Sequence, residues 1–157
     1  MAVRKLVARE SIKTQKGLHI VKILIIDGQG GGVGKALVER LKAEFPDQPL
    51  IAVGTNVMAT AAMLRAGADQ GATGENAIAY NAKDADLILG PIGILAANAM
   101  LGELSPRMAE AIGASRALKI LVPVGKCRVQ VAGSTELMLG EALDDAMRLT
   151  RAKVQSK

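Results

Sequence analysis

The sequence predicts an α/β fold, a Rossmann-like three-layer sandwich with a mainly parallel central sheet. Short apolar segments of strand length alternate along the chain with longer segments whose apolar residues recur at helical spacing. The connections are short, and a glycine-rich turn follows the first apolar segment. Strands that are joined through helices pair in parallel and carry helices on both faces, so we expect the first strand at the centre of the sheet.

The first β-α unit begins at Val21. VKILIID is a continuous apolar run, which is typical of a strand covered on both faces. After the glycine turn, VGKALVERLKAEF repeats apolar residues at helical spacing, and Pro46 with Asp47 ends this helix. A length of 157 residues suits one domain. We therefore predict a single Rossmann-like domain over residues 21–157, preceded by a basic N-terminal arm over residues 1–20.

The middle of the chain continues the alternation. PLIAVG predicts the second strand, and MATAAMLRAG predicts an alanine-rich helix that ends at Gly67. A short, weak strand is expected near residues 70–72. Thr73 is the expected N-cap of the next helix, which runs through Ala82, and residues 86–90 form another buried strand.

The last third of the chain adds two helices and a strand. Pro91 and Gly93 interrupt the preceding strand. SPRMAEAIGAS predicts a helix with Ser105 at the N-cap and Pro106 at the first helical position, and ALKILVPV predicts a buried strand. Residues 129–133 either extend the sheet or form a hairpin. STELMLGEALDDAMRLTRAK predicts a closing amphipathic helix.

Composition narrows the class of protein. Half of the residues are hydrophobic but only 1% are aromatic, so the core must consist of aliphatic side chains and methionine. No apolar stretch approaches the ~20 residues of a bilayer span, and the N-terminus lacks the apolar core of a secretory signal. We expect a cytoplasmic protein without membrane contact. A single cysteine, Cys127, excludes an internal disulfide, and together with the single histidine, His19, it predicts no metal site.

The net charge of +5 is concentrated at one end of the chain. Residues 1–20 contain five basic side chains and one acidic side chain, a net +4, which leaves +1 for the remainder. The remainder also lacks a row of aromatic side chains on which bases stack, so nucleic-acid binding is disfavoured. The arm is compatible with an acidic partner, and the aliphatic helices are compatible with a homodimer interface.

The most informative segment is the glycine-rich turn after the first strand. Five of the seven residues from Gly28 to Gly34 are glycine, which favours sharp bending and close approach of the backbone to another group. Between a strand and a helix, the free N–H groups of the helix N-terminus favour a phosphate. The turn residues predicted to bind phosphate are Gly28, Gln29, Gly30, Gly31, Gly32, Val33, Gly34 and Lys35.

Further candidate residues follow later strands, because ligands of parallel sheets bind beyond the carboxyl ends of the strands. Thr55 and Asn56 follow the second strand and suit a sugar or a 2′-phosphate, or act only in turn and N-cap chemistry. Gly90, Pro91 and Ile92 form a rigid bend past which a flat ring can slide, or merely end a strand.

Charged residues flank the turn. Lys35 either neutralises a phosphate or is simply exposed in the first helical turn. Asp27 repels phosphate unless it caps backbone N–H groups, binds a ribose hydroxyl or shares a metal, and of these roles we favour capping. Gly125 and Lys126 follow a further strand and belong to the same predicted edge.

Three glycine patterns distinguish the ligands that such turns bind. The pattern G-x-G-x-x-G fails because Val33 stands at its third glycine. The P-loop pattern G-x-x-x-x-G-K-[ST] fails twice, at Gln29 and at Ala36. The pattern G-x-x-x-G-x-G fits, at Gly28, Gly32 and Gly34.

Around these glycines, IIDGQGGGVGKALVERL resembles the cofactor loop of the short-chain dehydrogenase/reductases over one β-α unit. The resemblance implies NAD(P) as the cofactor. That family uses a Tyr-x-x-x-Lys pair, whose lysine lowers the pKa of the tyrosine, whereas the sole tyrosine here gives Tyr80-Asn-Ala-Lys83, one residue too short. The acidic residue that holds an adenosine ribose after the second strand is replaced by Gly54-Thr55-Asn56. The catalytic residues are therefore unassigned.

A second resemblance covers most of the body, from about residue 22 to about residue 145. It is carried by the segments KILIIDGQGGGVGK, IAVGTN, AGADQGATGENAI, DADLILGPIGIL and ILVPVGKC. Together they resemble an uncharacterised bacterial family, a domain of unknown function with a Rossmann-like nucleotide-binding prediction. The resemblance implies the fold and brings no established activity.

The sequence thus favours a nucleotide-binding Rossmann-like protein of unknown reaction, with NAD(P) as the favoured ligand. Two alternatives stay open: a non-enzymatic module that senses a nucleotide or coenzyme, and a P-loop-like phosphate binder. A third is an interaction protein in which the glycine turn is only structural.

Overall fold

The computed structural model describes residues 20–124, 128–134 and 137–156. Apart from Ile20, the predicted basic arm lies outside the described residues. The strands are β1 (Ile23–Asp27), β2 (Leu50–Gly54), β3 (Gln70–Thr73), β4 (Leu87–Pro91) and β5 (Leu118–Val122). The helices are α1 (Gly32–Glu44), α2 (Val57–Arg65), α3 (Glu75–Ala82), α4 (Pro106–Ala114) and α5 (Leu139–Gln155), and a short 3-10 helix covers Ile92–Leu95.

The five strands form one parallel sheet in the order β3-β2-β1-β4-β5. The predicted α/β fold and the central position of the first strand are confirmed. Ile25 of β1 pairs with Ala52 on one side and with Leu89 on the other. The chain leaves β1 toward β2 and leaves β4 toward β5, so the strand order reverses between β1 and β4.

Two hydrophobic cores cover the two faces of the sheet. Ile23 and Ile25 face the core that is closed by α1, α2 and α5, whereas Leu24 and Ile26 face the core under α3 and α4. All four side chains are fully buried. Burial on both faces is the physical reason why β1 has a continuous apolar sequence instead of an alternating one. Within the described residues, no helix combines the length and the apolar character that crossing a bilayer requires.

The start of α3 differs from the prediction. Thr73 is the last residue of β3, and Gly74, with φ of 101°, is the N-cap of α3 without a side-chain cap. The Thr73 hydroxyl lies 2.7 Å from Oγ1 of Thr60 on α2. The predicted capping role of Thr73 is therefore wrong, because its hydroxyl joins β3 to α2. The predicted cap at Ser105 is confirmed, since its Oγ accepts a hydrogen bond from the Met108 N–H at 3.2 Å.

The segment before α5 also differs from the prediction. Residues 129–133 are exposed and contain no strand, so the expected sheet extension or hairpin is wrong. A strand pair without an apolar face to bury is only marginally stable in water, which accounts for the irregular path. The last helix begins at Leu139, later than expected, where Glu141 Oε2 accepts a hydrogen bond from the Met138 N–H at 2.9 Å.

Candidate functional site

A cleft of about 660 Å³ opens at the carboxyl edge of the sheet, where the strand order reverses between β1 and β4. Helices leave this point in opposite directions, so the sheet itself creates a crevice there. The residues that line the cleft are Asp27, Gly28, Gln29, Gly30, Gly31, Gly32, Val33, Pro91, Gly93, Met100, Leu101, Val124 and Leu139.

The structure brings part of the predicted site together. Residues 28–33 and Pro91 line the cleft, but six other predicted residues do not: Gly34, Lys35, Thr55, Asn56, Gly90 and Ile92. Lys35 projects from α1, where its Nζ lies 3.8 Å from a carboxylate oxygen of Glu39. Gly125, Lys126 and Cys127 lie outside the described residues.

Asp27 accepts hydrogen bonds from both ends of the glycine turn. Its Oδ1 accepts a hydrogen bond from the Gly28 N–H, and its Oδ2 accepts one from the Gly34 N–H, each at 2.7 Å. Burial raises the pKa of Asp27 above its usual value, although these backbone hydrogen bonds act in the opposite direction. The carboxylate therefore holds the two ends of the turn together, which is the capping role that we favoured.

Two glycines of the turn, Gly31 and Gly34, are required by the fold itself, and Gly28 is closely packed as well. A Cβ on Gly28 would lie 2.5 Å from Met100 Sδ, and one on Gly31 would lie 2.8 Å from Cα of Ala59 in α2. A Cβ on Gly34 would lie 2.5 Å from Sδ of Met63, which is fully buried. Real Cβ atoms do not make contacts this short, so packing against α2 accounts for Gly31 and Gly34, whereas the side chain of Met100 can move away from Gly28.

Gly30 and Gly32 differ from the other glycines of the turn. A Cβ on either residue would meet nothing within 4 Å, and neither residue has a positive φ. Among the described residues, no acceptor is hydrogen-bonded to the amide of either one. Gly32 is also the first residue of α1, where the helix dipole favours an anion. At both residues the backbone is exposed to the cleft. Packing within the described part of the protein does not explain why these two positions lack a side chain.

Glu103 is a residue of this region that sequence reasoning missed. It lies between the short 3-10 helix and α4, and its Oε2 accepts hydrogen bonds from the Gln29 N–H at 2.7 Å, Thr55 Oγ1 at 2.7 Å and Asn56 Nδ2 at 3.0 Å. The bond from the Gln29 amide, followed by those from Thr55 and Asn56, lowers the pKa of Glu103. A carboxylate thus stands beside the end of β2, although the two residues that directly follow this strand, Thr55 and Asn56, are not acidic. The sequence offered one signal for Glu103, namely that no acidic residue directly follows β2. That signal does not indicate which acidic residue elsewhere in the chain lies at this place.

The loop that carries Glu103 has a strained backbone. Asn98, Met100 and Leu101 have φ values of 64°, 58° and 57°, in the left-handed region that side chains other than glycine adopt at a cost. Leu101 is fully exposed at the mouth of the cleft. Leu101 therefore keeps a strained backbone although its side chain is not buried, and strained residues cluster at functional sites.

The described lining of the cleft contains no basic side chain that could neutralise an anion. Among the described residues, the lining contains one charged side chain, Asp27, and it is acidic. The only attraction for an anion from the described part of the lining therefore comes from backbone N–H groups and the dipole of α1.

Comparison with known proteins identifies a family. A family model described as a domain of unknown function, DUF3842, matches residues 22–155. No curated protein matches the chain. Among solved structures, the crystal structure of AibC is similar with a TM-score of 0.44 and 19% sequence identity, over 85% of this chain and 39% of AibC. The chain therefore spans about two fifths of the length of AibC.

Proposed function

The chain belongs to the DUF3842 family of domains of unknown function, and within that family we propose that it is a nucleotide-binding protein, with NAD(P) as the favoured ligand. One observation carries the proposal: Gly30 and Gly32 lack a side chain at positions where the protein itself leaves open space. Bare backbone at the N-terminus of a helix is where Rossmann-like sites hold a pyrophosphate.

The lining of the cleft suits both parts of a nucleotide. It includes the backbone of the glycine turn and four apolar side chains, namely Met100, Leu101, Val124 and Leu139. Phosphates suit the backbone of the turn, and a flat base or nicotinamide ring suits the apolar side chains. The volume of about 660 Å³ lies within the range of small-molecule sites.

A second candidate function is non-enzymatic sensing of the same class of ligand. The one titratable side chain in the described lining, Asp27, is committed to two backbone N–H groups. A general acid or base has to be within reach of the substrate and free to exchange a proton. This favours a module that binds a nucleotide over one that catalyses a reaction.

Binding can be tested with the full chain and a panel of NADH, NADPH, ADP and ATP with Mg²⁺. A ligand at ~100 times its Kd stabilises the protein by about 2.7 kcal/mol, which a thermal-shift assay detects. Gly32→Asp introduces a carboxylate into the open cradle and should abolish the shift. Gly113→Asp is the control for the added charge, because Gly113 is an exposed glycine of α4 outside the cleft lining, with nothing within 4 Å of an added Cβ.

The result expected is that at least one nucleotide stabilises the wild type and Gly113→Asp, but not Gly32→Asp. Gly32→Asp should keep the wild-type melting temperature or exceed it in the absence of ligand, since an acidic residue in a first helical turn is favourable. The proposal is wrong if no member of the panel stabilises the wild type, or if Gly32→Asp binds as tightly as the wild type. Consumption of a reduced cofactor would separate an enzyme from a sensor.

A further inference from the structure

We propose that Glu103 makes this site select nucleotides with a free ribose 2′-hydroxyl and reject those with a 2′-phosphate. The inference rests on the proposed nucleotide site and specifies which ligand of that class it takes. It concerns the region beside the end of β2, where Rossmann-like sites place the adenosine ribose and read its 2′-position with a side chain.

The position of the carboxylate supports this role. Thr55 directly follows β2, and its Oγ1 lies 2.7 Å from Glu103 Oε2. The same oxygen accepts the Gln29 N–H, so the carboxylate stands beside the glycine turn that would hold the phosphates. Glu103 does not itself line the cleft, but it is hydrogen-bonded to Gln29, which does, so it stands at the edge of the proposed phosphate site, on the side of β2.

The two oxygens of Glu103 have different surroundings. Oε2 accepts all three hydrogen bonds, from Gln29, Thr55 and Asn56, and these bonds fix the orientation of the carboxylate. Among the described residues, no donor is hydrogen-bonded to Oε1. Oε1 is therefore available to accept a hydrogen bond from a ribose hydroxyl, in the role that an acidic residue after β2 has in other sites.

A 2′-phosphate at this position would meet the opposite interaction. It would bring up to two negative charges beside an ionised carboxylate, and like charges in contact are strongly unfavourable. Within the described residues, no lysine or arginine forms an ion pair with Glu103. Thr55 and Asn56, whose donors would otherwise suit a phosphate, already donate to Glu103.

The experiment compares the affinities for NADH and NADPH, by fluorescence titration, in the wild type and in two neutralising variants. The wild type should bind NADH at least about tenfold more tightly than NADPH. Glu103→Gln keeps an oxygen for the Gln29 amide but removes the charge, so the ratio should fall to about threefold or less. Glu110→Gln is the matched control, because Glu110 is an exposed residue of α4 that, unlike Glu103, is not hydrogen-bonded to Gln29, Thr55 or Asn56, and it should keep the wild-type ratio.

Salt provides a second measurement that does not depend on a variant. Charge repulsion is screened as ionic strength rises, so the NADH-to-NADPH preference of the wild type should shrink between low salt and ~1 M NaCl. A preference that came from shape alone would not change. Melting temperatures of the unliganded variants show that each protein is folded.

The outcomes separate this inference from the proposed function. Binding of neither cofactor, nor of ADP or ATP, would contradict nucleotide binding itself. Equal binding of NADH and NADPH by the wild type, tighter binding of NADPH, or an unchanged ratio in Glu103→Gln would overturn the role of Glu103 and leave nucleotide binding standing.

Discussion

Replacing single glycines of the turn by alanine should change stability in opposite directions at positions two residues apart. Gly32→Ala is expected to raise the free energy of unfolding. An added Cβ meets nothing within 4 Å there, and the backbone does not have a positive φ. Alanine then gains about 0.4–1 kcal/mol, because it restricts the unfolded chain more than glycine does.

Gly34→Ala is expected to lower the free energy of unfolding. The new Cβ would lie 2.5 Å from Met63 Sδ and 2.9 Å from the Asp27 Cβ, where ordinary contacts are 3.4–4 Å. Asp27 belongs to the central strand and cannot move away without disturbing its neighbours. Overpacking of this kind costs about 1–3 kcal/mol, against a gain of about 1 kcal/mol in helix propensity. The two variants should therefore differ by about 2 kcal/mol.

Urea denaturation at constant temperature, followed by circular dichroism, measures both values and shows from the m-value whether the unfolding remains comparable. Gly140→Ala is the control for helix propensity, and it should gain as much stability as Gly32→Ala. A loss of more than about 1 kcal/mol in Gly32→Ala would place Gly32 among the packing glycines. A gain in stability for Gly34→Ala as large as that of Gly32→Ala would refute the reasoning from steric contacts. If both expectations hold, nucleotide binding by Gly32→Ala can be compared with its stability. Weaker binding by this more stable variant would show that Gly32 serves binding and not folding.

Two further predictions concern the loop that carries Glu103 and the loss of stability at low pH. Leu101→Gly should stabilise the protein by up to about 1 kcal/mol in the same denaturation assay, because Leu101 has φ of 57° and is fully exposed; a loss of stability would mean that the side chain packs in solution. Asp69 has its pKa lowered by the hydrogen bond from Lys42 and by the Leu50 N–H, so its contribution is present above its ordinary pKa and is lost as the pH falls through the lowered value. Asp69→Asn should therefore lose less melting temperature than the wild type between about pH 5 and about pH 2, whereas parallel curves would contradict the assignment.

Local sequence patterns were sufficient for the fold class. The apolar run of β1 directly reflects burial on both faces, and the helical spacing after the turn reflects the single buried face of α1. The Ser105 cap was also predictable, since a cap depends on residues within one turn of each other. Thr73 was predicted wrongly because its hydroxyl has a partner 13 residues away on α2, which competes with capping.

The candidate site, like the fold, was predictable from the sequence only where it depends on local properties of the chain. The sequence by itself determined that a glycine-rich turn joins the central strand to a helix, because bending and helix initiation are local properties of the chain. Only the tertiary structure decided which glycines are needed for packing, since Gly31 and Gly34 depend on the close approach of α2. It also placed Glu103 against Gln29, 74 residues earlier in the chain. Side-chain periodicity carries no information about such contacts, because they depend on how separate loops meet above the edge of the sheet.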